Sequence, residues 1–143
     1  MTSHGETDDQ GQAGTDAKLC CPDVPRHSSA GASKHEPITF ALDWAGGDCP
    51  LLKGAPHTSG MRGGSVKLKP GESVGWHSTS SNEEALVILH GSGVANIEGH
   101  PDVPLTERML AYIPPATRHN VTNNGSHVLE YVWLVAPANE AAK

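Results

Sequence analysis

The chain is poor in aromatic residues, which make up only 4% of its 143 residues and include a single Phe and two Tyr. It contains 16 Gly and 11 Pro, and no segment shows a sustained apolar period of 3.6 residues. This combination argues against a helical bundle, because it predicts many turns between short elements. An all-β sandwich or barrel suits such a sequence, and the length leaves room for one domain.

The chain also lacks basic clusters and long apolar runs. Its 10 Lys and Arg residues are scattered among 16 Asp and Glu, for a net charge of −6, which argues against a nucleic-acid partner. No apolar run approaches the roughly 20 residues that cross a bilayer, and the acidic residues near the start do not resemble a signal peptide. We therefore expect a soluble, cytoplasmic protein with no membrane partner.

Cysteine is scarce as well. Cys20, Cys21 and Cys49 are the three cysteines, and three cannot form a closed disulfide framework, so reduced thiols are the simpler interpretation. A metal site formed by Cys20, Cys21 and His27 is a minor alternative to thiols in an N-terminal tail.

Branched and aromatic side chains are almost absent from residues 1–36, so this segment cannot bury enough surface to offset the entropy of ordering it. We predict a flexible acidic tail over residues 1–36, a packed β-barrel domain over residues 37–137 and a C-terminal tail over residues 138–143.

Turn residues divide the predicted domain into short strands. Residues 38–44 alternate enough to predict an edge strand, whereas residues 45–64 form a predicted loop rich in Gly and Pro. Further strands are predicted at residues 65–68, 73–77, 84–90, 94–98, 109–113, 118–122 and 127–135. The last of these is apolar on nearly both faces, which indicates a strand covered on two sides, as in a closed or double-sheet barrel.

Two histidines and a glutamate lie at the ends of these predicted strands. Side chains two residues apart on a strand share a face, so His77 and Thr79 face the same way. An antiparallel return brings Glu84 opposite them, and His119 begins a later strand. Imidazole and carboxylate ligands together suit Fe(II), Mn, Zn, Ni or Co. We therefore predict one divalent metal at His77, Glu84 and His119.

The segments that hold these residues resemble the paired motifs of the cupin superfamily. The first motif reads Gly, five residues, His-x-His, three or four residues, Glu, six residues, Gly, and it is matched at Gly71, His77, Glu84 and Gly91. The second reads Gly, five residues, Pro-x-Gly, two residues, His, three residues, Asn, and it is matched at Pro114, His119 and Asn123. The resemblance covers about residues 64–136. It implies a double-stranded β-helix, or jelly-roll, barrel and a homodimer.

The chain departs from this family pattern at three positions. Arg108 stands where the second motif starts with Gly, and Ala116 replaces the Gly after Pro114, which changes two turns. Thr79 replaces the second His of the first motif and removes a presumed ligand, because a neutral hydroxyl is a poor donor to a divalent metal. Either the site keeps three ligands and an open position, or the pocket no longer holds metal tightly.

Nearby residues offer few replacements for the missing ligand. His57, in the predicted long loop, is within reach of the barrel mouth. His90 lies about 20 Å along the strand from Glu84, at ~3.3 Å per residue, and is excluded. Glu83 has the wrong parity unless a bulge turns it inward.

Other side chains receive supporting roles. Thr79 is predicted to orient a water or the substrate and Tyr112 to line the pocket, so these two are the candidate catalytic residues. Arg62 is a better candidate than Arg118 for pairing with an anionic substrate, because Arg118 has the parity opposite to His119. Four residues are expected to be structural, as core or turn formers: Trp76, Tyr131, Trp133 and Asn123.

The resemblance to cupins fixes the fold more closely than the function, because cupins include oxygenases, isomerases, lyases and binding modules. We expect a small metal-binding cupin that acts on or binds a small polar molecule, with the metal as Lewis acid or O₂ site. The alternatives are a non-catalytic binding or sensor protein and a barrel that has lost its metal.

Overall fold

The computed structural model describes residues 35–43 and 45–139, and these residues form strands and no helix. The predicted all-β class is confirmed. Most of the predicted tails, and with them Cys20, Cys21 and His27, lie outside the described residues. No helix in the described part of the chain is long and apolar enough to cross a membrane. Eight strands follow in order: β1 Gly47–Lys53, β2 Arg62–Leu68, β3 Asn82–His90, β4 Ser92–Ile97, β5 Val103–Thr106, β6 Leu110–Ile113, β7 His119–Thr122 and β8 Leu129–Pro137.

Two antiparallel sheets enclose the core. One has the strand order β1-β2-β8-β3-β6 and the other the order β5-β4-β7. β8 lies at the centre of the larger sheet, between β2 and β3, as its two apolar faces predict. The predicted double-stranded β-helix barrel is confirmed. Its core is formed by buried side chains from both sheets: Val66, Leu68, Leu86, Ile88, Ala95, Leu105, Ile113, Val121, Leu129 and Tyr131.

The sequence predicts neither β1 nor β5, and both are edge strands that contain proline. β1 includes Pro50 and β5 includes Pro104. Proline has no N–H to donate to the hydrogen bonds between strands, so it is tolerated only at a sheet edge. In the sequence, however, proline indicates a loop, and the two strands are therefore missed. The strand predicted at residues 38–44 is wrong for residues 38–43, which pair with no strand and leave Ile38 44% exposed.

The segment before His77 is bulged, so the strand predicted at residues 73–77 needs correction. Ser73 pairs with Thr122 and His77 pairs with His119, in two isolated bridges. Four steps along this segment therefore match three steps along β7. The extra residue lies near Gly75, whose φ is 89°. Such a two-against-one mismatch is a β-bulge, and it reverses the facing of the residues beyond it.

Asn120 stabilises the bulge, because its Oδ1 accepts a hydrogen bond of 2.9 Å from the N–H of Gly75. Without the extra residue, Trp76 would lie opposite His119. Trp76 is instead 50% exposed, so its predicted place in the core is wrong. His77 takes the position opposite His119, on the inner face of the barrel.

At the two turn positions where the family motif has glycine, this chain has another residue but a backbone conformation typical of glycine. Arg108 has a φ of 68° and Ala116 a φ of 54°, which is the left-handed region that glycine adopts most readily. The barrel therefore accommodates Arg108 and Ala116 at positions whose backbone favours glycine.

Candidate metal centre

The three predicted ligands come together from both sheets. Glu84 belongs to β3 of the larger sheet, His119 begins β7 of the smaller sheet, and His77 lies beside His119 in the bulged segment. One ligand atom from each lies within 4.8 Å of the others. The imidazole rings of His77 and His119 meet edge to face, with centroids 4.3 Å apart and an interplanar angle of 62°.

Backbone carbonyls fix the tautomer of both histidines. Nδ1 of His77 lies 2.8 Å from the carbonyl oxygen of Gly75, and Nδ1 of His119 lies 3.0 Å from that of Thr117. A carbonyl oxygen only accepts, so each Nδ1 carries the proton. In the neutral ring, Nε2 then has a free lone pair directed away from the backbone, which is the arrangement found for histidine ligands of metals.

The buried contact between Glu84 and His119 fits a cation. Glu84 is 6% exposed and His119 is fully buried, and Oε2 of Glu84 lies 2.9 Å from Nε2 of His119. Neither atom has any other hydrogen-bond partner among the described residues. Burial lowers the pKa of His119, but the Glu84 carboxylate and the Thr117 carbonyl raise it by more, so the pKa lies above its usual value. The negative charge of Glu84 that favours a proton at Nε2 also favours a divalent cation there. Two imidazoles and a carboxylate are suitable ligands for such a cation.

A cavity of about 240 Å³ opens from these ligands. Arg62, Val135 and Glu84 stand side by side on β2, β8 and β3, and direct partners on antiparallel strands share a face. Arg62 therefore faces the same interior as Glu84, roughly 10 Å away across two strand spacings. The cavity is lined by Asp48, Arg62, Val66, Val74, His77, Ser78, Thr79, Glu84, His119, Val121, Tyr131, Trp133 and Val135.

Thr79 lies at this cavity, but its hydroxyl proton is engaged in a hydrogen bond within the protein. Its Oγ1 donates to the carbonyl oxygen of Asn82 at 2.8 Å, and the Asn82 side chain donates back to the Thr79 carbonyl at 2.8 Å. The hydroxyl is left with acceptor capacity only.

Tyr112 lies on the outside of the barrel and does not line the cavity. Its side chain is 58% exposed, and its hydroxyl donates to the Glu83 carboxylate at 3.0 Å. Arg118 pairs with Glu98 at 3.5 Å on the surface. His57 is exposed and also lies outside the cavity lining.

Of two residues that are expected to be structural, Asn123 has only that role, whereas Tyr131 also lines the cavity. Asn123 is structural, because it is fully buried and its side-chain amide donates to the carbonyls of Leu68 and His127 at 2.8 Å each. Tyr131 belongs to the core, yet it also lines the cavity. Burial raises the pKa of Tyr131, and the Glu84 and Asp48 carboxylates raise it further.

Sequence reasoning missed Asp48 entirely. This residue lies on β1, and its Oδ1 accepts a hydrogen bond of 2.9 Å from the indole N–H of Trp133. Asp48 pairs with Val66, whose side chain is buried in the core. An acidic residue at the position facing Val66 is visible only after β1 is recognised as a strand.

Comparison with known proteins agrees with this fold. The family model of the cupin domain matches residues 64–135, which is half of the chain. The chain belongs to the cupin family. The oxalate-binding protein of Thermotoga maritima is 32% identical to it over 85 residues, which cover 59% of this chain and 69% of that protein.

Solved cupin structures share the fold at lower sequence identity. An RmlC-like cupin from Methanocaldococcus jannaschii with a double-stranded β-helix has 22% identity and a TM-score of 0.59, over 71% of this chain and 91% of that one. A structure from Thermotoga maritima, described as a predicted oxalate decarboxylase, has 21% identity and a TM-score of 0.51, over 65% of this chain and 94% of that one.

Proposed function

We propose that this cupin binds one divalent metal ion through His77, Glu84 and His119, and that a small organic acid binds at the open positions beside the ion. The observation that carries the proposal is the contact between Glu84 Oε2 and His119 Nε2, which are buried, 2.9 Å apart and without any other hydrogen-bond partner among the described residues. A buried carboxylate is costly unless it is paired or coordinates a metal. The ion is Fe, Mn, Zn, Ni or Co.

Two observations support an organic acid as the ligand. Among the described residues, Arg62 is the only Lys or Arg in the cavity lining, and guanidinium recognises carboxylates in a bidentate way. The relative from Thermotoga maritima is named an oxalate-binding protein. The cavity, at about 240 Å³, is smaller than the roughly 300–1,000 Å³ of typical drug-sized sites, so the ligand is a small molecule.

Thr79 orients this ligand or a water molecule in the proposal. Because its proton is donated to Asn82, it acts as an acceptor for a hydroxyl or water hydrogen. Tyr112 has no part in the proposed site, since it lies on the outer surface. When bound, a divalent ion supplies Lewis-acid polarisation of a ligand oxygen, which suits oxygenase, isomerase or lyase chemistry.

A non-catalytic binding protein is the second candidate. The relative that is 32% identical is named for binding, and Thr79 stands where the family motif has a further histidine. Oxygen uptake and product analysis with a panel of small hydroxy, keto and dicarboxylic acids separate the two candidates. Turnover of any acid supports the enzyme, and saturable binding without turnover supports the binding protein. Homodimerisation and a cytoplasmic location stay predictions.

Metal analysis of purified protein tests the proposal. We expect near-stoichiometric divalent metal in the wild type and a loss of most of it in His77→Ala and His119→Ala. His77 is exposed and His119 is fully buried, so His77→Ala keeps the test valid if His119→Ala misfolds. His100→Ala, on an exposed turn, serves as the control and should keep its metal. Folded wild-type protein that stays metal-free in excess metal would contradict the proposal.

A further inference from the structure

Asp48, on the edge strand β1, adds a second carboxylate to the cavity lining, and its side chain is exposed to solvent. Its direct partner on β2 is Val66, which pairs in turn with Tyr131 on β8. Val66 is 2% and Tyr131 3% exposed, so this row of side chains faces the interior. The indole of Trp133 binds one carboxylate oxygen of Asp48 at 2.9 Å. A carboxylate offers about four acceptor sites, so Asp48 keeps capacity for a ligand.

The charged groups of the cavity are unevenly placed. Arg62 and Glu84 lie in the row at the metal end of the larger sheet. Asp48 lies beside Val66, four residues further along β2 from Arg62, which is about 13 Å at ~3.3 Å per residue. One end of the cavity therefore has the metal ligands and a guanidinium, whereas the other end has a carboxylate beside an indole.

The overall charge of the lining also limits the ligand. Arg62 contributes one positive charge, and Asp48 and Glu84 contribute two negative charges. With a divalent ion at its ligands, the site carries a net single positive charge. A monoanion neutralises this charge. A dianion leaves the site with a net negative charge and places its second carboxylate against Asp48. Like charges brought close together disfavour binding of a ligand.

We propose that Asp48 selects the ligand, so that the cavity takes a carboxylic acid whose far end carries a hydroxyl or ammonium group in preference to a dicarboxylate. The carboxylate lies at the end with Arg62 and the metal ligands, and the far group donates a hydrogen bond to Asp48. The inference rests on the proposed metal-dependent acid site. It assigns a different ligand class from the oxalate for which the Thermotoga maritima relative is named.

Matched ligand pairs test the selection. Protein loaded with Zn²⁺ is titrated calorimetrically with oxalate and glycolate, malonate and 3-hydroxypropionate, and succinate, 4-hydroxybutyrate and 4-aminobutyrate. Within each set the chain length is constant and only the far group changes. The variant Asp48→Asn keeps an oxygen acceptor for Trp133 but removes the charge. The control Asp102→Asn removes the same charge from an exposed turn outside the cavity lining.

In the best-fitting set, we expect the wild type and Asp102→Asn to bind the hydroxy or amino acid about tenfold or more tightly than the dicarboxylate. Asp48→Asn should shift this ratio toward the dicarboxylate by about tenfold. A wild type that prefers the dicarboxylate in every set, or an Asp48→Asn variant with an unchanged ratio, overturns the inference.

Equilibrium dialysis of Zn²⁺ separates this failure from failure of the metal site. Protein that binds Zn²⁺ but shows no preference overturns only the role of Asp48. Protein that binds none of Zn²⁺, Mn²⁺, Fe²⁺, Co²⁺ and Ni²⁺ overturns both the proposed function and the inference.

Discussion

At the residue scale, the pair formed by Glu84 and His119 costs stability unless an ion or a proton joins it. Both side chains are nearly or fully buried, and their facing atoms are 2.9 Å apart. Breaking a buried charged contact destabilises a protein, but apolar residues of similar volume often stabilise it as well or better. A pair of this kind in the interior of a small barrel is therefore better explained by binding than by stability.

The two tyrosines of the chain offer a spectroscopic test of the cavity. Tyr112 is exposed, and its hydrogen bond to Glu83 raises its pKa. Tyr131 is buried beside Glu84 and Asp48, and its pKa is raised well above the ordinary value of 10.0. A raised folded-state pKa stabilises the protein below pH 10 and loses this contribution as the pH rises further, because the unfolded phenol ionises first.

We therefore expect two separate steps in an ultraviolet titration of phenolate. Tyr112 should ionise reversibly above pH 10 in the folded protein, and Tyr131 should ionise only together with alkaline unfolding, followed by circular dichroism. Tyr112→Phe should retain only the step that coincides with unfolding. A phenol of Tyr131 that titrates in the folded barrel would show that the cavity is far wetter than its burial indicates.

At the element scale, the bulge before His77 decides which side chain enters the site. It inserts one residue between the pairs Ser73 with Thr122 and His77 with His119. Bulges turn side chains and are frequent next to active sites. Here the bulge exchanges an indole for an imidazole at the position opposite His119, so the proposed metal site depends on a local backbone irregularity.

Asn120 is expected to control metal affinity without touching the ion. Its Oδ1 holds the N–H of Gly75, and the carbonyl of the same glycine accepts the hydrogen bond from His77 Nδ1. Loss of groups that orient a ligand typically costs about 10–100-fold in metal affinity. Asn120→Ala should therefore weaken Zn²⁺ binding at least about tenfold in a competition titration with a chelator.

Asn124→Ala is the matched control, because Asn124 is exposed in the turn after β7, and it should bind Zn²⁺ as the wild type does. Asn120→Asp keeps the oxygen acceptor and should recover most of the affinity. Equal Zn²⁺ affinity in wild type and Asn120→Ala would show that the bulge is held without this side chain.

At the scale of the whole molecule, the sequence predicts the barrel better than it predicts the facing of single residues. Gly, Pro and Asn mark most turns, so six of the eight strands are found within a few residues of their true bounds. The rule that alternate residues of a strand share a face fails in the bulged segment, and it wrongly places Trp76 in the core. Gly75 is a residue type that bulges often contain, but only the pairing with β7 shows where the extra residue lies.

The proximity of the three proposed ligands is predictable because motif spacing does not depend on strand parity. The spacing that resembles the cupin motifs identifies His77, Glu84 and His119 whether or not a bulge precedes them, and the structure brings their ligand atoms within 4.8 Å. Asp48 belongs to no motif, and its strand is not predicted because Pro50 indicates a loop. The nearness of Tyr112 to His119 along the chain suggests a place in the pocket, but alternate residues of a strand face opposite sides.

The ligands join the two sheets, so metal binding should stabilise the whole barrel. Glu84 belongs to the larger sheet and His119 to the smaller one, and an ion that binds only the folded state adds about 2.7 kcal/mol at 100 times its Kd. For a domain of this size the Tm should rise by roughly 10–20 °C. Glu84→Gln should lose this Zn²⁺-dependent rise in scanning calorimetry, whereas the exposed control Glu36→Gln should keep it. An equal rise in both variants would place the stabilising ion somewhere other than between the sheets.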